Sequence, residues 1–151
     1  MAVKPIPDGY HAVTPYLIVP GADRLIDFMK KAFGARERLR MPGPNNTVGH
    51  AEIEIGDSVV MLADSASAEN NRVMPGMISL YVEDCDATYK AALDAGATSE
   101  RELMNMFYGD RGGAVRDAFG NVWWISTHVE DVPPDEMERR SKEWMAQQGQ
   151  S

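Results

Sequence analysis

Residues 13–34 read VTPYLIVPGADRLIDFMKKAFG, residues 77–96 read MISLYVEDCDATYKAALDAG, and the likeness between the two decides the fold. In the first stretch VTPYLIV (13–19) predicts a strand and GADRLIDFMKKAFG (21–34) a helix. Leu25, Ile26, Met29 and Phe33 recur at the spacing of one helical face, and Gly34 stands where a glycine C-cap ends a helix. In the second stretch MISLYV (77–82) predicts a strand and EDCDATYKAALDAG (83–96) a helix, with acidic residues as capping candidates and a closing glycine. Val19 answers to Val82, Asp23 to Asp86, and AFGA to DAGA. Further along, Val60-Met61-Leu62 falls on Trp123-Trp124-Ile125 at a separation of 63 residues, the separation of Val19 and Val82. A strand and helix that recur in this way predict an internal duplication.

The segments that follow each helix complete the unit. RERLRM (36–41) and GHAEIEI (49–55) read as strands around the turn-forming PGPNN (42–46), and Gly56-Asp57 leads into SVVMLAD (58–64). In the second half ATSERELM (97–104), GGAVRDA (112–118) and VWWIST (122–127) play the same parts, with Gly120-Asn121 as the turn. The expected fold class is α+β: two βαβββ modules, residues 10–65 and 76–128, forming a curved mixed sheet around a cleft within one domain, 10–140. SASAENNRVMPG (65–76) reads as the linker. Beyond His128 the extension 129–151 contains PPDEMERRSKEWMAQQ (133–148), a mixed-charge helix expected to pack on the body or across a dimer.

The chain has 151 residues and 16.7 kDa, enough for one sizeable core. Its net charge of -8 and pI near 4.8 repel phosphate backbones and anionic membrane surfaces, so no nucleic-acid or membrane partner is expected. Arg36, Arg38 and Arg40 alternate along a strand and read as solvent-facing. No basic-then-apolar leader and no apolar run of membrane-spanning length occurs, which predicts a cytoplasmic protein. The single cysteine, Cys85, agrees with a reducing compartment.

For chemistry the informative stretch is HAEIEIGD (50–57). Strand alternation sends His50, Glu52 and Glu54 to one face and Ala51, Ile53 and Ile55 to the other. His50 and Glu52 admit three readings: a metal-ligand pair, a substrate hydrogen-bonding or acid/base pair, or ordinary solvated strand residues. His11, His50 and His128 form no local metal motif. A uniform shift of 63 sets Gly113 and Val115 opposite His50 and Glu52, so the second module supplies no matching ligands. The inner faces of the first and closing strands carry Thr14, Tyr16, Ile18 and Met61 in one module and Met77, Ser79, Tyr81 and Trp124 in the other. These would line a mainly apolar groove, with FYGDRGG (107–113) as a candidate rim.

TPYLIVPGADRLIDFMKKAFGA (14–35), GHAEIEIGDSVVMLAD (49–64), FYGDRGGAVRDAFGNVWWISTHVED (107–131) and PPDEMERR (133–140) together resemble the vicinal oxygen chelate superfamily. That superfamily includes glyoxalase I, bleomycin-resistance proteins and extradiol dioxygenases, and the resemblance is closer to its PhnB-like bacterial members. It implies paired βαβββ modules and a homodimer. In the glyoxalase-like members a His on the first strand and a Glu on the last strand of each module hold a divalent metal. The corresponding positions here are Thr14 and Met77, and Met61 and Trp124, a poor donor set for a hard cation.

No metal and no cofactor is therefore expected. The leading expectation is a binding protein for an unidentified small organic ligand, with Tyr16, Met61, Tyr81, Asn105, Phe107 and Trp124 lining the groove and Asp110 beside Asn105 as a polar contact. The alternative is a metal-independent lyase or isomerase that uses His50 as acid/base, oriented by Glu52.

Overall fold

The computed structural model of the chain describes residues 2–149 and consists of two four-stranded mixed sheets and three helices. In module 1, β1 (Tyr16–Val19) leads through α1 (Ala22–Phe33) to β2 (Arg36–Pro42), β3 (Val48–Ile55) and β4 (Ser58–Asp64), in the sheet order β1-β4-β3-β2. Module 2 repeats the plan with β5 (Met77–Tyr81), α2 (Cys85–Asp94), β6 (Thr98–Asn105), β7 (Asp110–Arg116) and β8 (Val122–His128), in the order β5-β8-β7-β6. The first and last strands of each module run parallel, which demands a helical crossover, and the remaining pairs are antiparallel. The fold is thus the expected α+β pair of βαβββ modules, with α3 (Pro134–Gln148) as the C-terminal helix.

The shift between modules is not uniform. Tyr16 pairs with Met61 and Ser79 with Trp124, a shift of 63 in both strands. Glu52 also pairs with Met61, but Ala114 pairs with Trp124, a shift of 62. His50 and Glu52 are therefore matched by Gly112 and Ala114 rather than by Gly113 and Val115. Module 2 recovers the missing residue in its last hairpin. The turn in module 1 is Gly56-Asp57, whereas the Asp117 N–H bonds the Asn121 carbonyl across three residues.

Both helices bury their apolar sides against the backs of the sheets and against each other. Leu25, Ile26 and Met29 of α1 join Leu17, Ile53 and Leu62, and the same core continues into Tyr89, Val115, Trp123 and Ile125 of module 2. Phe33 at the end of α1 lies 4.8 Å, centroid to centroid, from Trp123. The modules are thus joined through their helix-bearing sides, and the other face of each sheet opens outward. On these open faces Tyr16 is 45% exposed, Met77 68% and Tyr81 69%.

Each helix start is tied to the end of its own last strand. Gly21 enters α1 with a left-handed backbone and no side-chain cap, so the buried Asp64 carboxylate accepts from the Gly21, Ala22 and Val48 N–H groups instead. At α2, Asp84 caps the Ala87 N–H while Thr127 accepts from Cys85 and donates to the Val82 carbonyl. The linker forms two short 3-10 turns and one bridge in which Met74 and Ile18 exchange backbone hydrogen bonds. Helix α3 buries no residue completely and touches the body through Phe107–Trp144 ring contact and through Arg140, which bonds Glu130 and the Phe107 carbonyl.

Candidate functional site

On the open face of module 1 three polar side chains form one chain. Tyr16 Oη lies 2.9 Å from His50 Nδ1, and His50 Nε2 lies 3.2 Å from Glu52 Oε2. Strand alternation puts His50 and Glu52 on this side, and the β1–β4–β3 pairing brings Tyr16 across to them. An ionised carboxylate can only accept, so His50 Nε2–H donates to Glu52, and Nδ1 is the acceptor for the Tyr16 hydroxyl.

Over the same face the N-terminal lead folds back. Pro5, Pro7, Tyr10, His11 and Thr14 from the lead and Arg38, Glu52 and Met61 from the sheet enclose part of a cavity of about 560 Å³. A turn from Pro7 to Tyr10 passes through Gly9, whose left-handed φ of 82° and close approach to the Arg38 side chain suit glycine. The Arg38 guanidinium sits 5.0 Å from the Tyr10 ring centroid and donates to the Asp8 carbonyl. Alternation from Arg36, opposite Glu54, puts Arg38 on this face, and the register slip between Glu37 and Leu39 then turns Arg40 to the other, opposite Ala51. The three arginines read as equivalent from the sequence consequently differ. All are exposed, but Arg36 pairs with Glu54, Arg40 with Glu37, and Arg38 covers the lead.

The electrostatics of the cavity centre on Glu52. The Tyr10 phenol has the largest effect in holding the Glu52 carboxyl below its usual range, with His50 and Arg38 adding to it against the cost of burial. Conversely, burial and then the Glu52 carboxylate push the Tyr10 phenol up to about 12, opposed by Arg38. The two groups are close enough for this, yet the buried Tyr10 Oη completes no hydrogen bond of good geometry with any described residue. Burial also raises the Tyr16 phenol.

Module 2 builds a different polar group on its own open face. Tyr81 donates to Asp110 Oδ2 at 2.7 Å, and His128 Nδ1 lies 2.8 Å from Asp110 Oδ1. His128 Nε2 meets Asp131 at 2.8 Å, and the imidazole pKa is raised first by Asp110 and then by Asp131.

Tyr16, His50, Glu52 and Met61 are thus brought together, whereas Tyr81 and Trp124 lie on the outward face of the other module. Trp124 is covered there by the Arg101 guanidinium at 5.8 Å. Phe107 turns to Tyr108 and Trp144. Asn105 pairs opposite Arg111, accepts from its guanidinium at 3.3 Å, and so faces the α2 side, where Arg111 also binds Asp86; Asp110 is spent on Tyr81 and His128. A groove of about 1090 Å³ does lie between the modules within one chain, with Phe33, Ile55 and Ser58 on one side and Ser79, Tyr81 and Thr127 on the other, but of the ligand contacts expected from the sequence only Tyr81 reaches it. Tyr10 and Arg38 were missed because the lead, which brings them together, has no periodicity. The one available signal was Ile6 and Tyr10 among prolines.

Residues 10–125 match the family model of the glyoxalase/bleomycin resistance protein/dioxygenase superfamily. The chain belongs to this superfamily. Among relatives, an uncharacterised protein of Mycobacterium bovis is 38% identical over 136 residues, covering 84% of this chain and 90% of its own. An uncharacterised protein of Mycobacterium tuberculosis is 38% identical with 80% of its length covered. Among solved structures, TioX from Micromonospora sp. ML1 superposes with a TM-score of 0.67 at 24% identity, over 79% of this chain and 99% of that one. A glyoxalase/bleomycin resistance protein/dioxygenase family enzyme from Burkholderia phytofirmans PsJN gives 0.63 at 16% identity, over 77% and 97%. At these identities the structural likeness speaks for the fold.

Glyoxalase-like members of this superfamily hold a divalent ion, and the corresponding positions here do not fit one. Met61 offers a thioether beside Tyr16, and Trp124 an indole beside Ser79. Thr14 precedes β1, and Met77 adds only a second thioether. Among the described residues no group of three or more His, Cys, Asp or Glu is gathered as a metal site requires.

Proposed function

We propose that this chain is a binding protein for a small organic molecule, held in the cavity that the N-terminal lead closes over module 1. The observation that carries the reading is the cavity itself. At about 560 Å³ it falls in the range of ligand sites, and it combines an apolar wall with a few converging polar groups. Met61, with Pro5, Ile6 and Pro7 of the lead, supplies wall, and Glu52 supplies an acceptor. Tyr81, Trp124 and Phe107 join such a ligand only across subunits. We extend the proposal to a homodimer in which the exposed Met77–Tyr81 face of one copy stands opposite the cavity of another. Cytoplasmic residence and a place in the PhnB-like branch belong to the same proposal, supported by the single cysteine and by the matching sequence stretches.

The test is mass analysis of molecules retained by the untagged protein, followed by titration of the identified molecule into variants. Met61→Trp fills the cavity and is expected to abolish binding, whereas Trp124→Ala weakens it only in the dimer. Undiminished affinity in Met61→Trp sinks the cavity assignment. Light scattering of wild type and Tyr81→Glu reads the dimer, and a wild type that is monomeric at high concentration removes it.

A second reading is favoured by the Tyr16–His50–Glu52 chain. Because both ring nitrogens of His50 are engaged, an enzyme here would use His50 through Tyr16, whose hydroxyl is the exposed end. Turnover of the retained molecule that is unchanged in His50→Gln excludes this reading.

A further inference from the structure

We infer that the cavity selects a neutral molecule carrying a hydrogen-bond donor next to an acceptor on an apolar body, as a primary carboxamide or a cyclic amide does. This rests on the reading that the cavity holds a ligand at all, and it narrows what that ligand is. Three side chains define the pattern. His50 occupies Oε2 of Glu52, and the neighbouring Tyr10 phenol closes no hydrogen bond of good geometry on the carboxylate, which can still accept from a ligand donor. Tyr10 Oη is the only buried side-chain polar atom among the described residues without a hydrogen-bond partner, and it lies at the wall of the cavity next to Glu52. A buried hydroxyl left unpaired is costly, so a ligand acceptor placed there recovers what the empty protein forgoes. Arg38 forms no ion pair among the described residues, gives one N–H to the Asp8 carbonyl, and adds further donors beside Tyr10.

The charges on this wall cancel. Glu52 repels an anion and attracts a cation, Arg38 does the reverse, and a neutral dipolar group is served by both. An ion would meet one favourable and one unfavourable neighbour and lose its hydration besides. The rest of the lining is the apolar Pro5, Ile6, Pro7, Ala12 and Met61, with His11 and Thr14 as its other polar side chains.

The experiment compares benzamide, benzoate, benzylammonium and toluene, bodies of similar size that differ in polar pattern, by calorimetric titration near neutral pH. Benzamide is expected to bind about tenfold more tightly than the other three, the weight of one well-made hydrogen bond. Tyr10→Phe is expected to weaken benzamide by about the same factor. Glu52→Gln should abolish the discrimination against benzoate, because the repelling carboxylate is gone and Arg38 stays.

Equal affinities, or benzoate or benzylammonium ahead of benzamide, overturn the donor–acceptor inference and leave the cavity as a ligand site. A Tyr10→Phe protein that melts lower and binds benzamide as before assigns Tyr10 an internal structural role and also overturns it. Failure of all four probes to bind removes the cavity as a ligand site, and the preceding proposal falls with it.

Discussion

Where module 1 carries His50, module 2 carries Gly112, and the difference is steric. A Cβ at Gly112 would lie 2.5 Å from Ser126 Oγ and 2.8 Å from the Ile125 carbonyl, so no side chain fits without moving the sheet. Module 2 takes its imidazole from the end of β8 instead, as His128. Both open faces thus gather a tyrosine, a histidine and a carboxylate, in different orders. In module 1 the imidazole stands in the middle, bonded to Tyr16 on one side and to Glu52 on the other. In module 2 Asp110 stands in the middle, and Tyr81 and His128 both donate to it. That arrangement is saturated and, through Asp131, clasps the start of the extension. A duplicated fold keeps its backbone plan while the order of groups on its face differs between the halves.

The largest contrast is expected at the helix caps. Asp64→Ala strips three backbone N–H groups of their acceptor, two of them buried, and should cost about 3 kcal/mol in urea unfolding. Thr127→Val loses a single neutral acceptor at the equivalent place and should cost about 1 kcal/mol. Equal losses would contradict the assignment of α1 to a stronger remote cap than α2. A smaller contrast separates the tyrosines, because Tyr81 bonds a carboxylate and Tyr16 an imidazole. Tyr81→Phe is expected to destabilise by about 0.5 kcal/mol and Tyr16→Phe by less, on the same unfolding assay.

The smallest effect is the response to pH, and its sign differs between modules. Glu52 is held below 4.5, so its contribution is present above that pH and is lost as pH falls through the lowered value. His128 is raised above 6.5, so its contribution is complete below 6.5 and is lost as pH rises through the raised value. Melting curves against pH should therefore lose an acid limb in Glu52→Gln and an alkaline limb in His128→Gln. A His128→Gln profile that still falls over the alkaline window places that loss elsewhere.

The repeat made the element order legible, because helical and strand periodicities leave marks at fixed spacing in both halves. The strand bounds follow from local chemistry: Pro15 delays β1, and β7 starts at Asp110 rather than at the glycines. The shift of 62 at His50 was hidden, since a residue gained in one turn cancels one lost earlier and leaves the closing strands aligned. Which sides of the modules join was equally hidden. The apolar residues of both sheet faces alternate in the same way whether Trp123 meets Phe33 or solvent. The cavity depended on a segment without periodicity, the N-terminal lead, which is not written as a pattern.

The two remote caps also bear on the order of folding. The Ala22 N–H to Asp64 bond and the Cys85 N–H to Thr127 bond each close a span of 42 residues. Helix α1, whose start has no side-chain cap of its own, cannot be finished by local events, whereas α2 keeps the local Asp84 cap on the Ala87 N–H and waits for Thr127 only at Cys85. The first turn of α1 stays frayed until the last strand of its module has docked, which makes this βαβββ unit close in a single late step. Low φ-values at Asp64 and Thr127, beside higher ones in the β3–β4 and β7–β8 hairpins, are the kinetic signature of that order; high values at the caps would reverse it.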